Sequence, residues 1–135
     1  MKLSKGFTLI ELIIVIAIVA ILVTVALPTY QKQVRDSRRA DATAVLMQAR
    51  QMMERYYAKN YTYNSATISD IPSKSPIDGD AEYYRIELSR QSAATFRLAA
   101  RPQGDQVHDS CGTLSINQAG IKMADGSASN VDKCW

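Results

Sequence analysis

Few side chains in these 135 residues are of a type and spacing that could do chemistry. The single histidine, His108, stands in a polar stretch before Cys111, with no second histidine to complete a metal site and no nucleophile motif beside it. It reads as a surface residue. Asp78, Asp80 and Glu82 alternate in "DGDAE" like the opening of a calcium loop, but the remaining ligands and the closing Glu are missing, so the stretch reads as a solvated turn. There is no phosphate-binding glycine motif. The reading is therefore not an enzyme, with no cofactor and no metal. Two cysteines remain, Cys111 and Cys134, and one carboxylate in a costly place, Glu11, inside the apolar run "KGFTLIELIIVIAIVAILVTVALP".

That run admits three readings. A secretory signal would show basic Lys2 and Lys5, an apolar region and small residues at Thr24, Val25 and Ala26 for cleavage, all present, but Glu11 argues against it. A plain anchor from Phe7 to Leu27 would span a bilayer, at about 1.5 Å per residue, and leaves Glu11 equally unexplained. A carboxylate near the middle of a spanning helix costs on the order of 2.5 to 3.5 kcal/mol, somewhat less near the end where Glu11 lies, and so demands a partner. Setting aside Lys2, Lys5 and Glu11 leaves 14 basic and 12 acidic groups after residue 28, a net +2 that gives no positive blanket for nucleic acid. An apolar N-terminus implies export, and the cysteine pair then reads as one disulfide in an oxidising compartment.

The third reading supplies the partner. "GFTLIE" at Gly6 to Glu11, the long apolar stretch and "LPTYQ" resemble the N-terminus of type IV pilins. The resemblance implies a leader, residues 1 to 6, removed after Gly6 by a prepilin peptidase on the cytoplasmic side, and a new N-terminus, Phe7, that is methylated. Glu11 becomes the fifth mature residue. In the filament, as the resemblance implies, it meets the N-terminal amine of a neighbouring subunit; such a pair offsets two charges and penalises any register that leaves one alone. Ala20 departs from the family's usual Gly at the fourteenth mature position, which makes local melting of the helix less easy by about 1 kcal/mol.

The helix is expected to loosen at Pro28 and resume. Ala42, Val45, Leu46, Ala49, Met52, Met53 and Tyr56 fall on one helical stripe, while Arg35, Arg38, Arg39, Asp41, Arg50 and Arg55 largely occupy other faces, and the pattern fades at Lys59 and Asn60. The "RRAD" run reads as a solvated face. Asn60 to Ala81, with Pro72, Pro76 and Gly79, reads as a connecting loop. Four strands are expected after it: Tyr84, Ile86 and Leu88 in one, Phe96, Leu98 and Ala100 in the next, then Leu114 and Ile116, and a short one from Ile121 to Met123 after "NQAG". The fold class is α+β, an antiparallel sheet packed on the helix stripe. Tyr56, Tyr57, Tyr61, Tyr63, Tyr83 and Tyr84 read mostly as filling that interface with their hydroxyls wet. A bond between Cys111 and Cys134 would close about 24 residues, worth roughly 3.4 kcal/mol by chain entropy, and tie the polar "GIKMADGSASNVDK" to the sheet.

Further downstream, "RRADA", "ERYYAKNYTY", "CGTLSINQAG" and the terminal "CW" look like the PilE-type minor pilins. The organisation implied is a leader (1–6), a membrane and filament-core helix (7–28) and a periplasmic or extracellular pilin domain (29–135). The function implied is a minor pilin of a bacterial type IV pilus, supporting pilus assembly and with it twitching motility, adhesion and DNA uptake. Its partners would be other pilins, the prepilin peptidase and the inner membrane before assembly. One alternative is a DNA-uptake receptor, for which Arg85, Arg90, Arg97, Arg101, Lys122 and Lys133 are the candidate phosphate contacts; Glu82, Glu87, Asp105, Asp109, Asp125 and Asp132 lie among them and dilute the field. The other is a secretion pseudopilin, which the cysteine pair disfavours.

Overall fold

A computed structural model describes residues 6–126 and 131–135, without the side chains of Arg90 and Gln91. It divides into two compact units, residues 1–34 and 35–135. One helix, α1, runs Leu9–Asn60 through both, and Pro28 lies within it without ending it. Near that proline two threonine hydroxyls turn back onto helix carbonyls, Thr24 Oγ1 to Ile21 O at 2.7 Å and Thr29 Oγ1 to Val25 O at 3.3 Å. The helix stops where expected. Asn60 Nδ2 donates to Tyr56 O at 2.9 Å, and Tyr61, with φ 57°, takes the left-handed turn that closes it, its N–H on Tyr57 O at 2.7 Å.

In the second unit, Ala42, Val45, Leu46, Ala49 and Met53 are the buried face of α1. The stripe read from the sequence is therefore the packing face, with Met52 and Tyr56 at its margin. Five antiparallel strands complete the core in the order of the chain: β1 Lys74–Ser75, β2 Tyr84–Gln91, β3 Phe96–Pro102, β4 Leu114–Asn117 and β5 Lys122–Ala124. Alternation places Tyr84, Ile86, Phe96, Leu98, Ala100, Leu114 and Ile116 inside. Each large side chain so buried stabilises the fold by roughly 1.5–3 kcal/mol. Tyr63 packs edge-on against Phe96 at 4.8 Å between ring centres.

Two sequence expectations need correction. Among the described residues the sheet has five strands and not four: β1 lies in the stretch expected to be a loop, two residues between Pro72 and Pro76 that pair with Arg85 and Tyr84. A two-residue strand has no alternation to display, and its pairing comes from tertiary contact alone. The last strand is Lys122–Ala124, one residue later than expected, with Ile121 57% exposed in the preceding turn.

The disulfide joins Cys111 to Cys134 with Cα atoms 5.7 Å apart. The segment it closes is more than a polar loop, since it carries β5, and its residues 127–130 lie outside the described residues. Gly126 N–H reaches Cys111 O at 3.0 Å, and a Cβ on Gly126 would fall 2.1 Å from Ser110 O, so only glycine fits this approach. Trp135 Nε1 donates to Met123 O at 3.1 Å, fixing the last residue to β5.

Candidate assembly site

The chain enters α1 through a capping box whose signature is the motif "TLIE" at Thr8 to Glu11. Glu11 N–H points at Thr8 Oγ1 at 3.3 Å, while Glu11 Oε2 accepts from Thr8 N at 2.9 Å and from Thr8 Oγ1 at 2.8 Å. A carboxylate three residues after the N-cap satisfies amides that the helix leaves open, and it also faces the positive end of the helix dipole. Glu11 thus has a local partner, which partly answers the cost of carrying it. Its other oxygen, Oε1, accepts no hydrogen bond among the described residues and is left for a further donor. Gly6 is exposed with open space where a Cβ would stand, and Phe7 is 90% exposed.

Behind this entrance, every large apolar side chain from Phe7 to Leu27 is at least 44% exposed. Among the described residues this is the one helix long and apolar enough to cross a membrane. A surface of that extent is stable only against lipid or against other helices.

A second polar constellation, with no motif to mark it in the sequence, lies between α1 and the segment before Cys111. Arg39, expected on a solvated face, is only 13% exposed at its side chain, with Nη2 3.0 Å from Asp36 Oδ1 and Nη1 2.5 Å from Asp109 Oδ1. Asp109, expected among the acids that dilute a basic field, is buried. Its Oδ2 accepts from the Tyr84 hydroxyl at 2.9 Å, and Gln106 Nε2 donates both to that hydroxyl at 3.1 Å and to Arg35 O at 2.9 Å. Tyr84 is therefore a core residue whose hydroxyl is dry, contrary to the wet hydroxyls expected. Burial pushes its pKa up, and Asp109 adds to the rise. Burial alone would lower the Arg39 pKa, but its hydrogen bond to Asp109 and the charges of Asp109 and Asp36 raise it on balance. This network ties α1 to the segment that leads, two residues on, into Cys111.

Four of the candidate phosphate contacts sit opposite one another on β2 and β3, Arg85 across from Arg101 and Arg90 across from Arg97, and both members of the first pair are held by acids. Arg85 Nε is 2.7 Å from Glu82 Oε1 and Arg101 Nε is 2.7 Å from Glu87 Oε2. Arg97 is half-buried, Lys122 lies 5.3 Å from the centre of the Trp135 ring, and Lys133 is exposed. The Arg90 side chain lies outside the described residues. Arg38, which the sequence left on the helix surface, stacks over Tyr83 at 3.8 Å. Asp78, Asp80 and His108 are exposed, and Asp125 Oδ1 accepts from Thr113 N at 2.6 Å.

Two family descriptions match the chain: "Prokaryotic N-terminal methylation motif" over residues 1–27, and "Type IV minor pilin ComP, DNA uptake sequence receptor" over residues 28–115. A fimbrial protein of Neisseria meningitidis serogroup B is 40% identical over 106 residues, 78% of this chain and 61% of that protein, so this chain spans less than two thirds of it. The type IV wide pilus major component PilA4 of Thermus thermophilus is 42% identical over 112 residues, 76% of this chain and 85% of that protein. Among solved structures, the non-core minor pilin PilV of Neisseria meningitidis has the same fold, with a TM-score of 0.61 at 23% identity over 74% of this chain and 95% of that one. A type IV pilin from Shewanella oneidensis gives a TM-score of 0.52 at 28% identity, covering 75% of this chain and 97% of that one. The chain belongs to the type IV pilin family, as a structural pilin anchored in the inner membrane by its apolar N-terminal helix before assembly and present in the pilus after it.

Proposed function

We propose that the chain is a minor pilin, cut after Gly6, methylated at Phe7, and drawn from the inner membrane into the pilus through its N-terminal helix. Residues 1–6 are the leader, 7–28 the membrane and filament-core helix, and 29–135 the domain outside the membrane. The observation that carries this reading is the junction of the exposed apolar surface from Phe7 to Leu27 with a carboxylate at Glu11 whose Oε1 accepts no hydrogen bond among the described residues. The amine that cleavage creates at a neighbour's Phe7 is the donor of matching charge. Mass spectrometry of the processed protein tests the reading: a methylated Phe7 N-terminus is expected, and an N-terminus at Leu27 would replace it with an ordinary secretory signal. Subunit counts in sheared pili then test the minor role, which an abundance equal to the filament's bulk component would overturn.

A DNA-uptake receptor is the second reading, supported by the DNA uptake sequence receptor family that matches residues 28–115. The pairing of Arg85 with Glu82 and of Arg101 with Glu87 weighs against a continuous basic stripe. Gel-shift titration of the full chain across a salt series separates the two readings, because phosphate contacts give an affinity that falls steeply with salt.

A further inference from the structure

The outer side of β2 is incompletely covered. β1 pairs only with Tyr84 and Arg85, after which Ile86 donates its N–H to Ser73 O at 2.9 Å and the covering chain departs through Pro72, which has no N–H to offer, to the buried Ile71. β2 continues in regular register with β3, Ile86 opposite Ala100 and Leu88 opposite Leu98, until a bulge follows Leu88. Since the Ile86 amide points away from β3, strand alternation aims the Ile86 carbonyl and the Leu88 amide to that same side, where no strand follows among the described residues. A groove of about 500 Å³ opens there, lined by the apolar Ile68 and Leu88 and by the charged Lys74, Glu82, Arg85 and Glu87. It falls within the usual size of a binding cleft, about 300–1,000 Å³.

The charges at its rim decide what fits. Arg85 is held by Glu82, Glu87 by Arg101, and the Lys74 ammonium by the carbonyls of Gly79 and Ala81. With these charges already paired or held by carbonyls, an occupant gains little from carrying charge, and one without backbone donors and acceptors leaves the Ile86 carbonyl and Leu88 amide unmatched. We infer that this groove takes an uncharged, extended peptide segment of a partner protein, added as a strand along Ile86–Leu88 with one apolar side chain between Ile68 and Leu88. The straight stretch is about three residues, or roughly 10 Å at ~3.3 Å each, so the contact is short and reversible. The bulge after Leu88 limits it to that length, as bulges do on strand edges.

The test uses the full chain in lipid nanodiscs and the capped peptide acetyl-Thr-Val-Thr-Val-Thr-amide, followed by residue-resolved amide hydrogen exchange. Saturable binding with slowed exchange at Leu88 is expected. Methylating the peptide's valine amides should abolish the binding, and Ile68→Glu, at a wall position 42% exposed, should weaken it at least tenfold. No binding at millimolar peptide, protection elsewhere on the chain, or equal binding of the methylated peptide would each overturn the inference. So would tighter binding of a peptide with glutamate at the valine positions, which would mark an ionic surface.

Discussion

Replacing Asp109 by alanine removes the acceptor shared by Arg39 and the Tyr84 hydroxyl, at 2.5 and 2.9 Å. Breaking a buried ion pair from one side costs about 3–5 kcal/mol, since the remaining charge loses its compensation. Here the loss is smaller: Arg39 keeps Asp36 at 3.0 Å and Tyr84 keeps Gln106 at 3.1 Å. An estimate of about 2–3 kcal/mol follows, and with roughly 4 °C or more per kcal/mol for a domain near 100 residues, the transition should fall by at least about 8 °C. The companion is Arg39→Met with Asp109→Leu, which removes both charges and leaves apolar bulk. That pair should recover at least half of the loss, because an ion pair replaced by apolar groups is often neutral. Near-ultraviolet circular dichroism of the full chain reports the tertiary packing of the sheet unit independently of the membrane helix. A single variant within 2 °C of wild type, or a double variant no more stable than Asp109→Ala, would refute the claim that Asp109 acts through these charges.

Three further outcomes are expected. Cys111→Ser with Cys134→Ser should lower stability by about 3.4 kcal/mol from the regained freedom of the loop, read from the same melting curve. Gly126→Ala should lower it by more than 1 kcal/mol, because the added Cβ would lie 2.1 Å from Ser110 O; an unchanged melting point would mean the turn relaxes freely. Glu11→Val should leave insertion intact or improved while the mutant subunit disappears from the sheared-pilus pool, which fractionation with quantitative mass spectrometry will read.

How far the sequence disclosed this molecule depends on periodicity. The helix stripe from Ala42 to Tyr56 and the alternating strands at Tyr84 and Phe96 carry their burial in the spacing of their apolar residues, and the structure buries them accordingly. β1 carries no such signal: Lys74 and Ser75 become a strand only because Tyr84 and Arg85 lie beside them. Arg39, Gln106 and Asp109 were hidden for a related reason. Each is polar, and polarity in a sequence points outward, whereas 67 residues separate Gln106 from the Arg39 that shares its network, and only the fold brings them together.

Glu11 shows the opposite case, in which a signal was present and a stronger one covered it. The carboxylate in an apolar run suggested a partner on another subunit, although Thr8 three residues earlier already spelled out a capping box. The proposed filament role is compatible with the cap because it would use a different part of the group: Oε2 is engaged by Thr8, while Oε1 accepts no hydrogen bond among the described residues. A carboxylate accepts up to about four hydrogen bonds, so a neighbour's amine can join without displacing Thr8. The local cap also fixes the rotamer that presents Oε1, so that the ordering of the side chain is complete before any neighbour arrives. A residue that first looks like a liability of the membrane helix is, in the single subunit, the group that begins the helix.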